Sequence, residues 1–127
     1  MISNGEIRKT FLPFYDITTH SISIKSRPAL ILATADPDDY VVLPISRVSR
    51  QEFIDPRYDV PVDPVVFPLT GLRCKSYVRT HKQTIVHSAE IGDKIGDIRG
   101  AYDELYRTIL DRRAEFSDVI TLQALGE

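Results

Sequence analysis

Polar and apolar positions alternate in short runs along most of this chain, and only near its end does the spacing change to four, three, four. Ser21-Ile22-Ser23-Ile24 alternates strictly, as a half-buried strand or a hairpin arm does. Ala29–Ala33 is a continuous apolar run, which suits a strand covered on both faces. Tyr40–Ile45 is β-branched and aromatic and reads as the return strand. Between them Asp36-Pro37-Asp38-Asp39 is a turn: Pro37 presets one dihedral, and the Asp side chains bond their own backbone. Pro44 marks an edge or a bulge. Gly5–Phe14 is a weaker strand with Ile7 and Phe11 on one face, and Tyr15–His20 reads as a loop. Gln51–Pro64, with Pro56, Pro61 and Pro64, is expected to be a long ordered loop. Val65–Leu69 reads as an apolar strand interrupted by Pro68, and Thr70-Gly71 as a turn. Cys74–Thr80 alternates, with Tyr77 on the charged side, and Gln83–Val86 is a short strand. Gly92 and Gly96 are read as turn glycines and Asp97 as the N-cap of a helix over Ile98–Glu115. Ile98, Tyr102, Leu105 and Ile109 form that helix's apolar stripe. Phe116–Glu127 is a tail that packs on the body or serves as an interaction segment. Many short strands followed by one C-terminal helix predict a mainly β fold, closed as a small twisted barrel over roughly residues 5–98.

A length of 127 residues predicts one domain with its own core. The single cysteine, Cys74, forms no internal disulfide and fits a reducing compartment. No apolar run reaches bilayer length and no signal-peptide pattern opens the chain, so a cytoplasmic location is expected. The net charge of −2 argues against a protein that coats nucleic acid nonspecifically, but it leaves room for a local basic groove. Arg73, Lys75, Arg79 and Lys82, with His81, fall in a stretch without an acid, whereas Asp36, Asp38 and Asp39 cluster in the turn. Both clusters also fit ordinary solvated surface. Three scattered histidines and one cysteine give no metal-ligand spacing. There is no Walker loop, dinucleotide fingerprint or nucleophile elbow.

The remaining chemistry sits at the open end of the central hairpin. If the strands around Ala29–Ala33 and Tyr40–Ile45 pair, Arg27 and Ser46 face one site. Pro28 holds Arg27 extended. An arginine fork beside a hydroxyl suits a phosphate or its charged transition state.

These residues also carry a resemblance. Lys25-x-Arg27-Pro28-Ala29-Leu30-Ile31-Leu32, a polar turn and Val42-Leu43-Pro44-Ile45-Ser46 together resemble the MazF/PemK family of toxin endoribonucleases. Gly5-Glu6-Ile7 and Pro13-Phe14 resemble that family's opening strand and first loop. Ser76-x-Val78, Gln83-Thr84-Ile85 and Lys94-Ile95-Gly96-Asp97-Ile98 resemble its later strands. The resemblance implies an SH3-like barrel of the MazF/CcdB type with a terminal helix, assembled as a symmetric homodimer. It implies cleavage of single-stranded RNA without metal or cofactor, a 2′,3′-cyclic phosphate product, and a cognate antitoxin. Arg27 matches the family's catalytic arginine, and Ser46 stands where a threonine is usual. Some members have an acid in the strand that here contains Val78-Arg79-Thr80, so His81 and His20 become acid–base candidates. Lys25, Arg79 and Lys82, with Tyr77 for base stacking, are candidates for an RNA track. The rival expectation is a binder on the same fold, such as a CcdB-like gyrase poison or a member that holds RNA or a partner without cutting.

Overall fold

The computed structural model describes residues 1–126. It is a mainly β structure: a curled seven-stranded sheet with one C-terminal helix. The strands are β1 (Glu6–Asp16), β2 (Ser21–Asp36), β3 (Asp39–Ser46), β4 (Asp59–Val62), β5 (Ser76–Arg79), β6 (Thr84–His87) and β7 (Ile91–Asp97). Their order is β4-β5-β3-β2-β1-β7, and β6 also pairs with β3. The pairings are antiparallel.

The centre of the sheet is covered on both faces, as the run Ala29–Ala33 predicts. Leu30 and Leu43, cross-strand partners, join a core with Ile7, Ile45, Val62, Val78, Ile98 and Ile109. Their neighbours Ile31 and Val42, also partners, turn the other way into a second core with Leu12, Ala29 and Val86. Alternation along a strand sends consecutive side chains to opposite faces, so two cores require two consecutive apolar residues at each step. Register shifts between Ile31 and Ala33 and between Thr34 and Asp36 add local twist and help to curl the sheet.

Several expected elements differ. The alternating stretch at Ser21–Ile24 and the apolar run are one continuous 16-residue strand, β2, which projects with β1 as a two-stranded arm beyond the body. Within Gln51–Pro64, Gln51–Phe53 is a single 3-10 turn and Asp59–Val62 is strand β4. Pro61 is tolerated there because β4 ends the sheet. Val65–Leu69 is not a strand: Asp63 Oδ1 accepts the Val65 amide at 2.9 Å, and Pro68–Thr70 closes as a 3-10 turn. Gly92 and Gly96 lie inside β7, not in turns. Gly96 is required by close approach, since a side chain there would run into the Thr70 carbonyl.

The helix α1 spans Asp103–Ala124, so it starts later than Ile98 and includes most of the expected tail. Asp97 ends β7 instead of capping α1. Ile98 keeps its place in the apolar stripe because one helical bond, Tyr102 N–H to the Ile98 carbonyl at 2.7 Å, forms ahead of the helix proper. Leu125 and Gly126 close the far end, with Gly126 at φ 84° donating to the Gln123 carbonyl. No helix of the described residues is long and apolar enough to cross a membrane.

Candidate functional site

The hairpin β2–β3 does bring Arg27 and Ser46 together. The register pairs Ala29 with Pro44, and two residues further on Arg27 faces Ser46, Nη1 to Oγ 3.5 Å. Neighbouring strands extend the row, because Thr10 of β1 pairs with Arg27 and Tyr77 of β5 pairs with Ser46. The Arg27 guanidinium lies 5.5 Å from the centre of the Phe14 ring.

Arg27 differs from most arginines of the chain in having no acid. Arg8 pairs with Glu6, Arg57 with Glu115, Arg79 with Asp59 and Arg107 with Asp103. Among the described residues no carboxylate pairs with Arg27, and its Nε is buried without a hydrogen-bond partner. Its single long contact to Ser46 leaves most of its donors unused. A half-buried cation with open donors has the chemistry to receive an anion.

Arg27 and Ser46 line a groove of about 540 Å³. One wall is Leu12–Tyr15 of β1, and the other runs from Arg47 to Ser49 and on to Phe53. Arg79, Lys82 and Thr84 close its end. The lining contains Arg27, Arg47, Arg79 and Lys82 and no acid, although the whole chain is net negative. Clefts lined by one sign of charge concentrate ligands of the other. Tyr15 and Phe53 are more than half exposed along this groove.

The other candidates are placed differently. Arg79 lines the groove, but its guanidinium is held by buried Asp59 through two bonds, Nε–Oδ1 3.0 Å and Nη2–Oδ2 3.3 Å. Its Nη2 also donates to the Phe53 carbonyl at 3.1 Å, which ties the Phe53 turn to β5. Lys82 is exposed and lies in the lining. Tyr77 and Lys25 are not part of that lining; Lys75 sits 5.9 Å over the Tyr77 ring, and Lys25 is exposed opposite Leu12 on the arm.

His81 is not part of the Arg27 groove lining. It packs against Tyr58 and Phe116, with Nδ1 3.8 Å from Asp59 Oδ1. Burial lowers its pKa, opposed by Asp59 and reinforced by Arg79. His20 sits in the exposed turn at the tip of the arm, at φ 55°, seven residues along β2 from Arg27. Thr80 is buried and its Oγ1 donates to the Tyr58 carbonyl at 2.6 Å, so the strand position expected to offer an acid holds a satisfied hydroxyl. The groove lining therefore holds neither an imidazole nor a carboxylate.

Sequence reasoning did not single out Arg47, Phe14, Tyr15 or Phe53 as site residues. Arg47 had a signal, since it directly follows Ser46. Phe53 had only an exposed aromatic in a Pro- and Asp-rich segment, and its placement depends on Arg79, distant in sequence.

A curled sheet with one terminal helix and a basic groove across a hairpin end defines a MazF-type fold, and comparison with solved structures agrees. The Mycobacterium tuberculosis toxin MazF-mt6 superposes with a TM-score of 0.64 at 20% identity, over 89% of this chain and 96% of that one. An endoribonuclease in complex with its cognate antitoxin, from a mycobacterial species, superposes with a TM-score of 0.58 at 16% identity, over 93% of this chain and 96% of that one. No family model matches the sequence, and no curated protein does.

Proposed function

We propose that this protein is a MazF-like toxin: an endoribonuclease that cuts single-stranded RNA without a metal ion and is neutralised by a cognate antitoxin. The observation that carries this reading is Arg27, an acid-free arginine with a buried, unpartnered Nε, facing Ser46 in a basic groove. The likeness in fold to MazF-mt6 and to an antitoxin-bound endoribonuclease supports it.

RNA supplies its own nucleophile. The 2′-oxygen attacks the adjacent phosphorus, the P–O5′ bond breaks, and the products are a 2′,3′-cyclic phosphate and a free 5′-hydroxyl. Negative charge builds on the non-bridging oxygens, where the Arg27 fork and the Ser46 hydroxyl donate. Such preorganised donors usually supply the largest share of catalysis. With no imidazole or carboxylate lining the groove, we assign the proton leaving the 2′-hydroxyl, and the one reaching O5′, to water in the open groove. The same lining favours a second reading, a protein that grips RNA in this groove without cutting it.

The test is incubation of the purified protein with a mixed-sequence single-stranded RNA in EDTA. Fragments ending in cyclic phosphate support the toxin reading. RNA that is bound but intact supports the second reading. RNA neither bound nor cut rejects both.

A further inference from the structure

Arg27 and Arg47 line not one depression but two. The second, of about 500 Å³, lies on the other side of this pair and is lined by Lys9, Ser26, Pro28, Gly71, Arg73 and Cys74, among others. Its cations are Lys9, Arg27, Arg47 and Arg73, and again no acid is present. Lys9 and Arg73 are exposed and have no carboxylate partner among the described residues. The neighbouring Arg8 and Lys94, by contrast, both turn to Glu6. Each depression lies within the range of roughly 300–1,000 Å³ usual for small-ligand sites.

The second depression is shaped by backbone geometry. Gly71, at φ 72°, ends the 3-10 turn over Pro68–Thr70, and a side chain there would run into the Ile95 carbonyl. This close seating on β7 brings Arg73 and Cys74 to the same hollow as Lys9. The two hollows differ in character. The Arg27 groove has aromatic walls, Phe14, Tyr15 and Phe53; the second has none.

We infer that Lys9 and Arg73 form a second phosphate subsite, so that a single RNA strand crosses the Arg27–Arg47 saddle and continues over them. Aromatic walls suit bases and unpaired cations suit backbone. The strand thus has a base-gripping segment on one side of the cleaved bond and a backbone-gripping segment on the other. This rests on the endoribonuclease reading and adds a requirement to it: substrate must extend past the scissile phosphate on the Lys9–Arg73 side.

The probe is a fluorescent mixed-sequence 2′-O-methyl RNA, whose blocked 2′-oxygen prevents cleavage. Its binding is followed by anisotropy against salt, for the wild type and for Lys9→Gln/Arg73→Gln. Single-stranded binding loses about 0.7 in log–log salt slope for each phosphate contact removed, so the double variant should flatten the slope by about 1.4. A longer oligonucleotide should bind the wild type more tightly than a trinucleotide, and the variant should lose that gain. Melting temperature verifies that the variant is folded, and each single substitution serves if the pair is not. A variant slope equal to that of a wild type that binds and cuts RNA overturns the subsite alone. A wild type that binds no RNA overturns the subsite and the endoribonuclease reading together. So does affinity confined to acidic polypeptide, tested with poly-aspartate.

Discussion

Replacing Arg27 by alanine should separate catalysis from stability. Its guanidinium makes one long contact, to Ser46 Oγ at 3.5 Å, and a loose one over Phe14 at 5.5 Å. No carboxylate is orphaned by its removal, and the buried Nε has no partner to lose. The folding cost is therefore about that of one ordinary hydrogen bond, ~1 kcal/mol or less. On the proposed mechanism its catalytic share is much larger. A preorganised donor on a developing oxyanion is worth about 10²–10³ in rate, or about 2.7–4 kcal/mol. Arg27→Ala should thus lower single-turnover RNA cleavage by about that factor while its melting temperature moves by only a few degrees. Arg27→Lys keeps the charge but loses the planar fork, and should fall between the two. Ser46→Ala removes the hydroxyl that, on the proposed mechanism, donates to the same phosphate, so the double variant should lose less than the product of the two single losses. The assay is cleavage of a labelled single-stranded RNA in EDTA, with unfolding followed in parallel. Folded Arg27→Ala protein cleaving within about threefold of wild type would refute the reasoning, because it is far inside the loss expected of a transition-state donor.

Three further outcomes follow from the same geometry. With no imidazole or carboxylate lining the groove, cleavage should rise steadily with pH, without an inflection near the ordinary histidine value; a pH–rate profile with such an inflection would implicate a histidine after all. Asp59→Asn leaves the bidentate Arg79 facing an amide in place of a buried carboxylate and should destabilise the protein by about 3–5 kcal/mol, measured by urea unfolding. Because burial depresses the His81 pKa below the ordinary histidine value of 6.5, the unfolded chain takes up that proton more readily than the folded one. Its contribution to stability is then full above about pH 6.5 and falls away as pH drops through the folded value, so His81→Gln should flatten the decline in melting temperature over that interval.

The parts of the site that lie close in sequence could be read from it. Arg27 and Ser46 meet because one hairpin, with its acidic turn at Asp36–Asp39, fixes their register, and both the turn chemistry and the apolar run were visible. What could not be read depends on pairings between distant segments. Strand β4 is a short stretch containing Pro61, and it becomes a strand only because β5 supplies its ladder and Arg79 supplies a partner for Asp59. The pairing of Arg79, a candidate for an RNA track, with Asp59 was likewise hidden, since a sequence shows a cation but not the buried carboxylate opposite it. The helix was misplaced at its start because Ile98 and Tyr102 keep helical spacing through a single isolated turn. Its end was misplaced because Phe116–Glu127 reads as a tail, whereas Val119 and Ile120 continue the helix that runs to Ala124.

The unanswered charge at Arg27 also links occupancy to durability. The groove keeps four like-signed side chains, Arg27, Arg47, Arg79 and Lys82, around one hollow, and of these only Arg79 has a carboxylate partner among the described residues, Asp59. Any polyanion that settles there, whether nucleic acid or acidic polypeptide, binds the folded chain and not the unfolded one. By mass action it adds about 2.7 kcal/mol of stability at a hundredfold excess over its Kd. If such a ligand is bound, free protein becomes the form most open to unfolding and proteolysis, and lifetime follows occupancy.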